Sequence, residues 1–174
     1  MTRIAATLLT LALVSGALVS GSTLAQPAKP GTPKVLRYVS QRTEKANMRE
    51  GPTYAHRVLW EYRHKGYPFA VIAQFDTWRR VRAMDGTTGW MNHAMLSDRR
   101  TVLVTGKGRV PLYDTPEARK VVALADPGAV ANLKACAPKF CEVTGMGGVD
   151  GWLPRTRIWG VGEHEVFDKL PRRH

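Results

Sequence analysis

An all-β fold is predicted: two small barrels of about five strands each, one after the other. Three observations predict it. From Lys34 to Ile158 no stretch keeps a helical period for three turns; short apolar runs alternate with Gly, Pro and Asp, the texture of short strands joined by turns. Sliding the chain by 62 residues places Gly66 on Gly128, Ala73 on Ala135, Trp78 on Phe140, Val81 on Val143, Gly86 on Gly148, Gly89 on Gly151 and Trp90 on Trp152 without a gap. Upstream, Gly51-Pro52 meets Thr115-Pro116 with a slip of two residues, which a loop absorbs. Two copies are too few for a solenoid and describe paired domains. Finally, about five strands in about 60 residues leave few interior positions per strand, which favours a barrel over a sandwich.

In chain order, residues 1–25 carry one basic residue, Arg3, then an uncharged run from Ile4 to Val19, then small residues ending at Ala25. That is the order of an export signal, and Ser15 and Gly16 interrupt a run already short for a membrane span of roughly 20 residues. Cleavage after Ala25 and a periplasmic or secreted mature chain with no transmembrane segment are expected; the alternative is an uncleaved N-terminal anchor. Residues 26–36 place Pro27, Pro30 and Pro33 three apart. This favours an extended polyproline linker, either a plain spacer or a ligand segment in cis or for a neighbouring chain.

The first domain is expected over 37–98. YVSQRTEKANMREGP opens as a strand and the start of a long loop, VLWEYRHKG is a second strand, and FAVIAQF a third. WRRVRAM and TTGWMN follow across turns at Asp76-Thr77 and Asp85-Gly86, where Asp-Gly tolerates the positive φ of a tight hairpin. Asp98-Arg99-Arg100 leads into the second domain, 99–160, and a tail covers 161–174.

The two cysteines, Cys136 and Cys141, lie five apart in KACAPKFCEV. In an exported chain this pattern predicts a disulfide across a tight turn, and no histidine lies within twenty residues to suggest a metal. So short a closed loop constrains the unfolded chain by only about 2 kcal/mol. Under the same 62-residue offset Cys136 and Cys141 fall on Gln74 and Arg79. Facing positions of a hairpin are close enough for such a bond.

The whole chain has 26 Lys and Arg against 14 Asp and Glu; without Arg3 the balance is +11. Residues 26–100 carry +8 of it and residues 101–174 only +3, so an electrostatic surface belongs mainly to the first half. An exported basic chain meets acidic peptides, polysaccharide or lipid headgroups before nucleic acid, so no specific nucleic-acid partner is expected. The plainer alternative is a solvated basic face that keeps the protein soluble.

Trp78, Val81, Gly89 and Trp90 form W-x-x-V-x(7)-G-W, preceded by NMREGP at 47–52. Together they resemble the bacterial Src homology 3 domain, a small barrel of exported cell-envelope proteins. The second copy keeps Phe140, Val143, Gly151 and Trp152, and its GWLPRTRI is similar to the family's last strand and following turn. The resemblance implies a non-catalytic module that binds peptidoglycan peptides or another envelope ligand. Function still has to be argued from the site, because one fold hosts many.

Alternation about Val81 puts Arg79 and Ala83 on the core side, Arg79 at the barrel mouth, and Trp78, Arg80 and Arg82 on the other side. An exposed indole flanked by guanidinium groups stacks on a planar or apolar ligand group while the arginines pair with carboxylates. Alternatively, Trp78 folds back over the barrel end as a lid. Tyr54, in the long loop, is placed to line a groove with Trp78. Arg49 either joins that groove or, with Asn47, holds the loop by its backbone. Trp90 and Phe69 are expected in packing. In the second copy WRRVR becomes FCEVT and every arginine is lost, so copy one is expected to bind and copy two to brace. The candidate ligand residues are therefore Trp78, Arg80, Arg82, Tyr54 and Arg49, and the expected partner is a cell-wall peptide or glycan, or an envelope protein.

Catalysis, cofactor and metal are not expected. The five histidines, His56, His64, His93, His164 and His174, are scattered, and neither cysteine has the paired histidine of a nucleophilic thiol. Glu163-His164-Glu165 reads as part of a solvated tail. GMGGVDG lies in a hairpin rather than before a helix, so it is not a phosphate loop.

Overall fold

The computed structural model describes residue 31, residues 33–145 and residues 147–168. The expected export signal and the first part of the proline linker lie outside the described residues, as does the end of the tail. No helix among the described residues is long and apolar enough to cross a membrane.

The chain builds two antiparallel sheets of seven strands in the same order. In the first these are β1 (Arg37–Gln41), β2 (Ala46–Arg49), β3 (Val58–Tyr62), β4 (Pro68–Phe75), β5 (Trp78–Arg82), β6 (Thr88–Asn92) and, after a 3-10 turn at His93–Met95, β7 (Leu96–Ser97). The second has β8 (Thr101–Val104), β9 (Val110–Tyr113), β10 (Val121–Ala125), β11 (Val130–Cys136), β12 (Phe140–Thr144), β13 (Asp150–Pro154), a 3-10 turn at Arg155–Arg157 and β14 (Ile158–Trp159). Spatial order is β3-β2-β6-β5-β4-β1-β7, matched by β10-β9-β13-β12-β11-β8-β14. The all-β tandem is as expected; seven strands replace about five for two local reasons. The opening stretch breaks after Gln41, where Thr43 donates its hydroxyl to Lys45 O (2.7 Å). The last strand is two residues long, too short to leave an alternating pattern.

Duplication extends to irregularities. β1 and β8 begin at 37 and 101, β3 and β10 at 58 and 121, β4 and β11 at 68 and 130. The separation falls from 64 to 63 to 62, so the extra residues of the first copy lie in its loops 50–57 and 63–67. Both copies carry the same bulge, between Val71 and Ala73 and between Leu133 and Ala135. The first core gathers Val39, Met48, Phe69, Val71, Val81 and Met91, and the second Val102, Val110, Leu112, Leu133, Val143 and Leu153. Gly89 and Gly151 hold the closest crossings: a Cβ on Gly89 would collide with Met48 and sit 2.9 Å from Arg49 O, and one on Gly151 would sit 2.6 Å from Leu112 Cγ and 2.8 Å from Tyr113 O. Strand crossing thus explains why the Gly-Trp pair occurs in both copies.

Tyr62 stands edge-on to Phe69, ring centres 4.9 Å apart, and burial pushes its phenol up to about 12, helped by nearby Asp85. The folded protein therefore holds this proton longer than the unfolded chain does. Its contribution to stability is complete below pH 10 and is lost as pH rises from about 10 towards 12. Thermal melts between pH 8 and 11.5 should show a steep fall in Tm for the native chain and a shallower one for Tyr62→Phe.

Three residues separate β7 from β8, and the barrels touch directly. Thr101 donates its hydroxyl to Gly66 O (2.6 Å), and Tyr38 meets Trp159 edge-on at 5.7 Å. Arg100 binds both carboxylate oxygens of Glu165 (2.6 and 3.0 Å) and Gly160 O (3.1 Å), with its guanidinium 5.6 Å above Tyr38. The described part of the tail is anchored as well: Arg155 donates to Glu163 O (2.9 Å) and to the carbonyls of Gly162 and Glu165. Phe167 exchanges backbone bonds with Cys136 (2.8 and 3.0 Å). Glu165 is thus part of this anchorage, and the solvated reading of Glu163-His164-Glu165 does not hold for it. Cys136 and Cys141 face each other across β11 and β12 and are joined as a disulfide, as Gln74 faces Arg79 across β4 and β5.

Candidate functional site

The hairpin β4–β5 turns at Asp76-Thr77, with Asp76 in the left-handed region (φ 46°). Arg79 sits at this barrel mouth, its Nη1 donating to Asp76 O (2.8 Å). The same turn is tied to the 3-10 turn after β6, since His93 N donates to Thr77 O (2.8 Å). Asn92, opposite Trp78 in register, caps that turn by accepting from Ala94 N (3.0 Å).

On the long loop, Arg49 Nη1 donates to Tyr54 O (3.0 Å) and His56 O (2.8 Å), and its guanidinium lies 5.6 Å from the Tyr54 ring centre. Arg49 therefore organises the loop. Tyr54 is brought against Trp78, rings 5.0 Å apart and steeply inclined, while remaining 63% exposed itself. Between loop and 3-10 turn lies a groove of about 210 Å³, lined by Trp78, Tyr54, Arg49, Lys45, Asn47, Asn92 and Met95.

This arrangement corrects one expectation. Trp78 is 5% exposed, not a free surface indole. It lies on the face opposite Val81, but Tyr54 and its loop close over it, so it forms a groove wall. The five candidate residues do not all meet. Tyr54, Trp78 and Arg49 converge; Arg80 is exposed two positions along, opposite Trp90; Arg82 is half-buried near Tyr38 and makes a long contact to Pro33 O (3.5 Å). Lys45 and Met95, and the lining role of Asn47 and Asn92, were missed. Asn92 was within reach, because hairpin register places it across from Trp78. Lys45 and Met95 approach only through loop geometry.

Chemically, the groove offers the exposed ring of Tyr54 for stacking and an ammonium at its rim, while the side-chain oxygen of Asn47 is buried and meets no donor among the described residues. Lys45 pairs with Glu61 at 2.5 Å. Hydrogen bonds from Lys45 and Arg63 hold the exposed Glu61 carboxyl below its usual range, so an acidic ligand competes with Glu61 for Lys45. Exposed pairs of this kind are weak enough to exchange.

The second barrel lacks this lining. With the strands superposed, Asn47, Arg49, Trp78 and Asn92 become Pro111, Tyr113, Phe140 and Pro154. Tyr113 and Phe140 pack on each other at 5.8 Å, and Arg157, in the place of Met95, donates to Thr105 O (3.1 Å) and Lys107 O (2.9 Å).

Two barrels of this topology, one of them with an aromatic groove beside its long loop, define a class of small tandem β-barrel domains. The chain belongs to the bacterial SH3 domain family, whose model matches residues 42–98 and 106–160. Comparison with curated proteins gives no match. Among solved structures, NlpC1 from Trichomonas vaginalis aligns over 75% of this chain and 48% of its own, at 12% identity and a TM-score of 0.34. NlpC2 from the same organism aligns over 70% and 46%, at 10% and 0.31. An NlpC/P60 family protein from Bacillus cereus aligns over 70% and 55%, at 14% and 0.32. The chain spans about half the length of these proteins.

Proposed function

We propose that the chain is an exported, non-catalytic binding module that holds a cell-envelope ligand, a peptidoglycan peptide or another acidic envelope component, in the groove of its first barrel. The supporting observation is the asymmetry of the pair: Tyr54, Trp78, Asn47 and Lys45 line a groove in one copy, and apolar or proline side chains replace three of its lining positions in the other. Membership in the bacterial SH3 family agrees with this reading. Tyr54 supplies the stacking surface, the buried Trp78 backs it from the groove wall, Arg49 positions Tyr54, and Arg80 and Arg82 add long-range attraction for acidic groups.

Co-sedimentation with purified peptidoglycan tests it. The native chain should pellet, and Tyr54→Ala, which removes an exposed ring and leaves both cores intact, should weaken retention about tenfold, the equivalent of one good aromatic contact. Trp78→Phe, which copies the second barrel, should weaken it as well. A native chain that stays in the supernatant, or pellets equally well with both substitutions, would contradict the proposal.

A further inference from the structure

A larger hollow lies away from the groove, at the seam between the barrels. It measures about 360 Å³, the lower end of the range for small-molecule sites and enough for one sugar or a dipeptide. Its wall comes from both copies: the end of β1, the turn 64–66 and Ser97 on one side, and Thr101, Val130 and Asn132 of β8 and β11 on the other. Four lining residues are basic, Arg42, His64, Lys65 and Arg99, and none is acidic. Lys65 meets Glu44 at 3.4 Å, between well-exposed side chains, a pairing of little strength. His64 Nδ1 donates to Lys65 O (3.1 Å), which leaves Nε2 as its other polar atom.

A second, independent feature is Gln41. It lines the hollow, is 1% exposed, and its amide orientation is fixed because Nε2 donates to Thr43 O (2.9 Å) and Tyr62 O (3.0 Å). That leaves Oε1 buried with no donor. Sealed from solvent, this oxygen is out of a ligand's reach, and Gln41 serves the hollow as a fixed part of its wall. Basic walls call for an oxyanion.

We propose that this seam is a second binding site, for a small acid that carries a carboxylate or a phosphate. Arg42, Lys65 and Arg99 attract and hold the oxyanion. The site exists only when both barrels are present and docked, since Thr101 and Asn132 complete it. It gives the second barrel a role in recognition although its own groove counterpart is filled, and it does not depend on the peptidoglycan reading of the first groove.

The test is an NMR titration of the full chain at 0.15 M salt with glucuronate, N-acetylglutamate and inorganic phosphate in separate arms. Saturable shifts at the amides of Gly66, Thr101 and Asn132 are expected in at least one arm, and the arm that binds most tightly tells carboxylate from phosphate. Arg99→Gln should weaken that binding at least tenfold, and Asn132→Asp, which puts a negative charge on the wall contributed by the second barrel, should do the same. Arg109→Gln removes an equal charge from a remote surface where Arg109 meets Asp126 at 2.9 Å, and should leave the affinity unchanged. No saturable shift at the seam in any arm, or equal weakening by Arg109→Gln, would overturn the proposal. A seam affinity indifferent to Arg99→Gln and Asn132→Asp would overturn it too.

Discussion

Gly151→Ala is expected to destabilise the second barrel by about 2 kcal/mol, within the range of overpacking a close crossing. The added methyl would lie 2.6 Å from Leu112 Cγ and 2.8 Å from the carbonyl oxygen of Tyr113. Backbone of a paired strand cannot swing aside, and Leu112 is 4% exposed, so β9 and β13 must separate. Gly89→Ala meets Met48 in place of a leucine, and an unbranched thioether yields more readily; its cost should be smaller, about 1 kcal/mol at the lower end of that range. Gly86→Ala is a useful contrast. Nothing lies within 4 Å of its missing Cβ, but φ is +88°, so its penalty of about 1 kcal/mol comes from left-handed backbone alone. Urea unfolding of the three variants should rank Gly151→Ala as the most damaging, and equal midpoints would contradict the crossing argument.

Arg100→Ala should release the tail and cost about 2 kcal/mol. The pair it breaks is bidentate, with side-chain exposures of 14% for Arg100 and 32% for Glu165. That openness puts the loss below the 3–5 kcal/mol of a fully buried pair. The hydrogen bond from Arg100 is the chief influence holding the Glu165 carboxyl below its usual range, against the opposing effect of burial. A depressed carboxylate contributes stability above its unfolded pKa and loses it as pH falls through the folded value. The gap between the native chain and Glu165→Gln should therefore be full at neutral pH and close in acid, below the ordinary carboxylate range. Hydrogen exchange at Cys136 and Phe167, whose amides bond each other's carbonyls, should quicken in Arg100→Ala while the amides of Val71 and Val81 stay protected.

Much of this architecture was legible because it is periodic. The repeat offset, the two Gly-Trp pairs and the alternation about Val81 each follow from strand geometry acting on a few residues. The Cys136–Cys141 pairing was legible for the same reason, since duplication placed those positions opposite one another. The site was less legible. Parity assigns Trp78 a side of the sheet, but only the path of the loop 50–57 decides what covers it, and that path depends on Arg49 reaching two carbonyls. Arg82 shares the parity of Trp78 and yet lies beside Tyr38, a contact between remote segments. The seam leaves no trace in either repeat, because its residues come together only through the docking of one copy on the other.

Matching bulges, registers and glycine crossings also create a hazard during folding: a hairpin of one half has the right shape to enter the sheet of its twin, and tandem repeats are prone to such cross-pairing. The covalent bond between Cys136 and Cys141 ties β11 to β12. Once closed, it keeps that hairpin from exchanging a single strand with β4 or β5. Divergence of the two copies thus bears on assembly as well as on the groove lining, and the oxidised bridge keeps β11 beside β12.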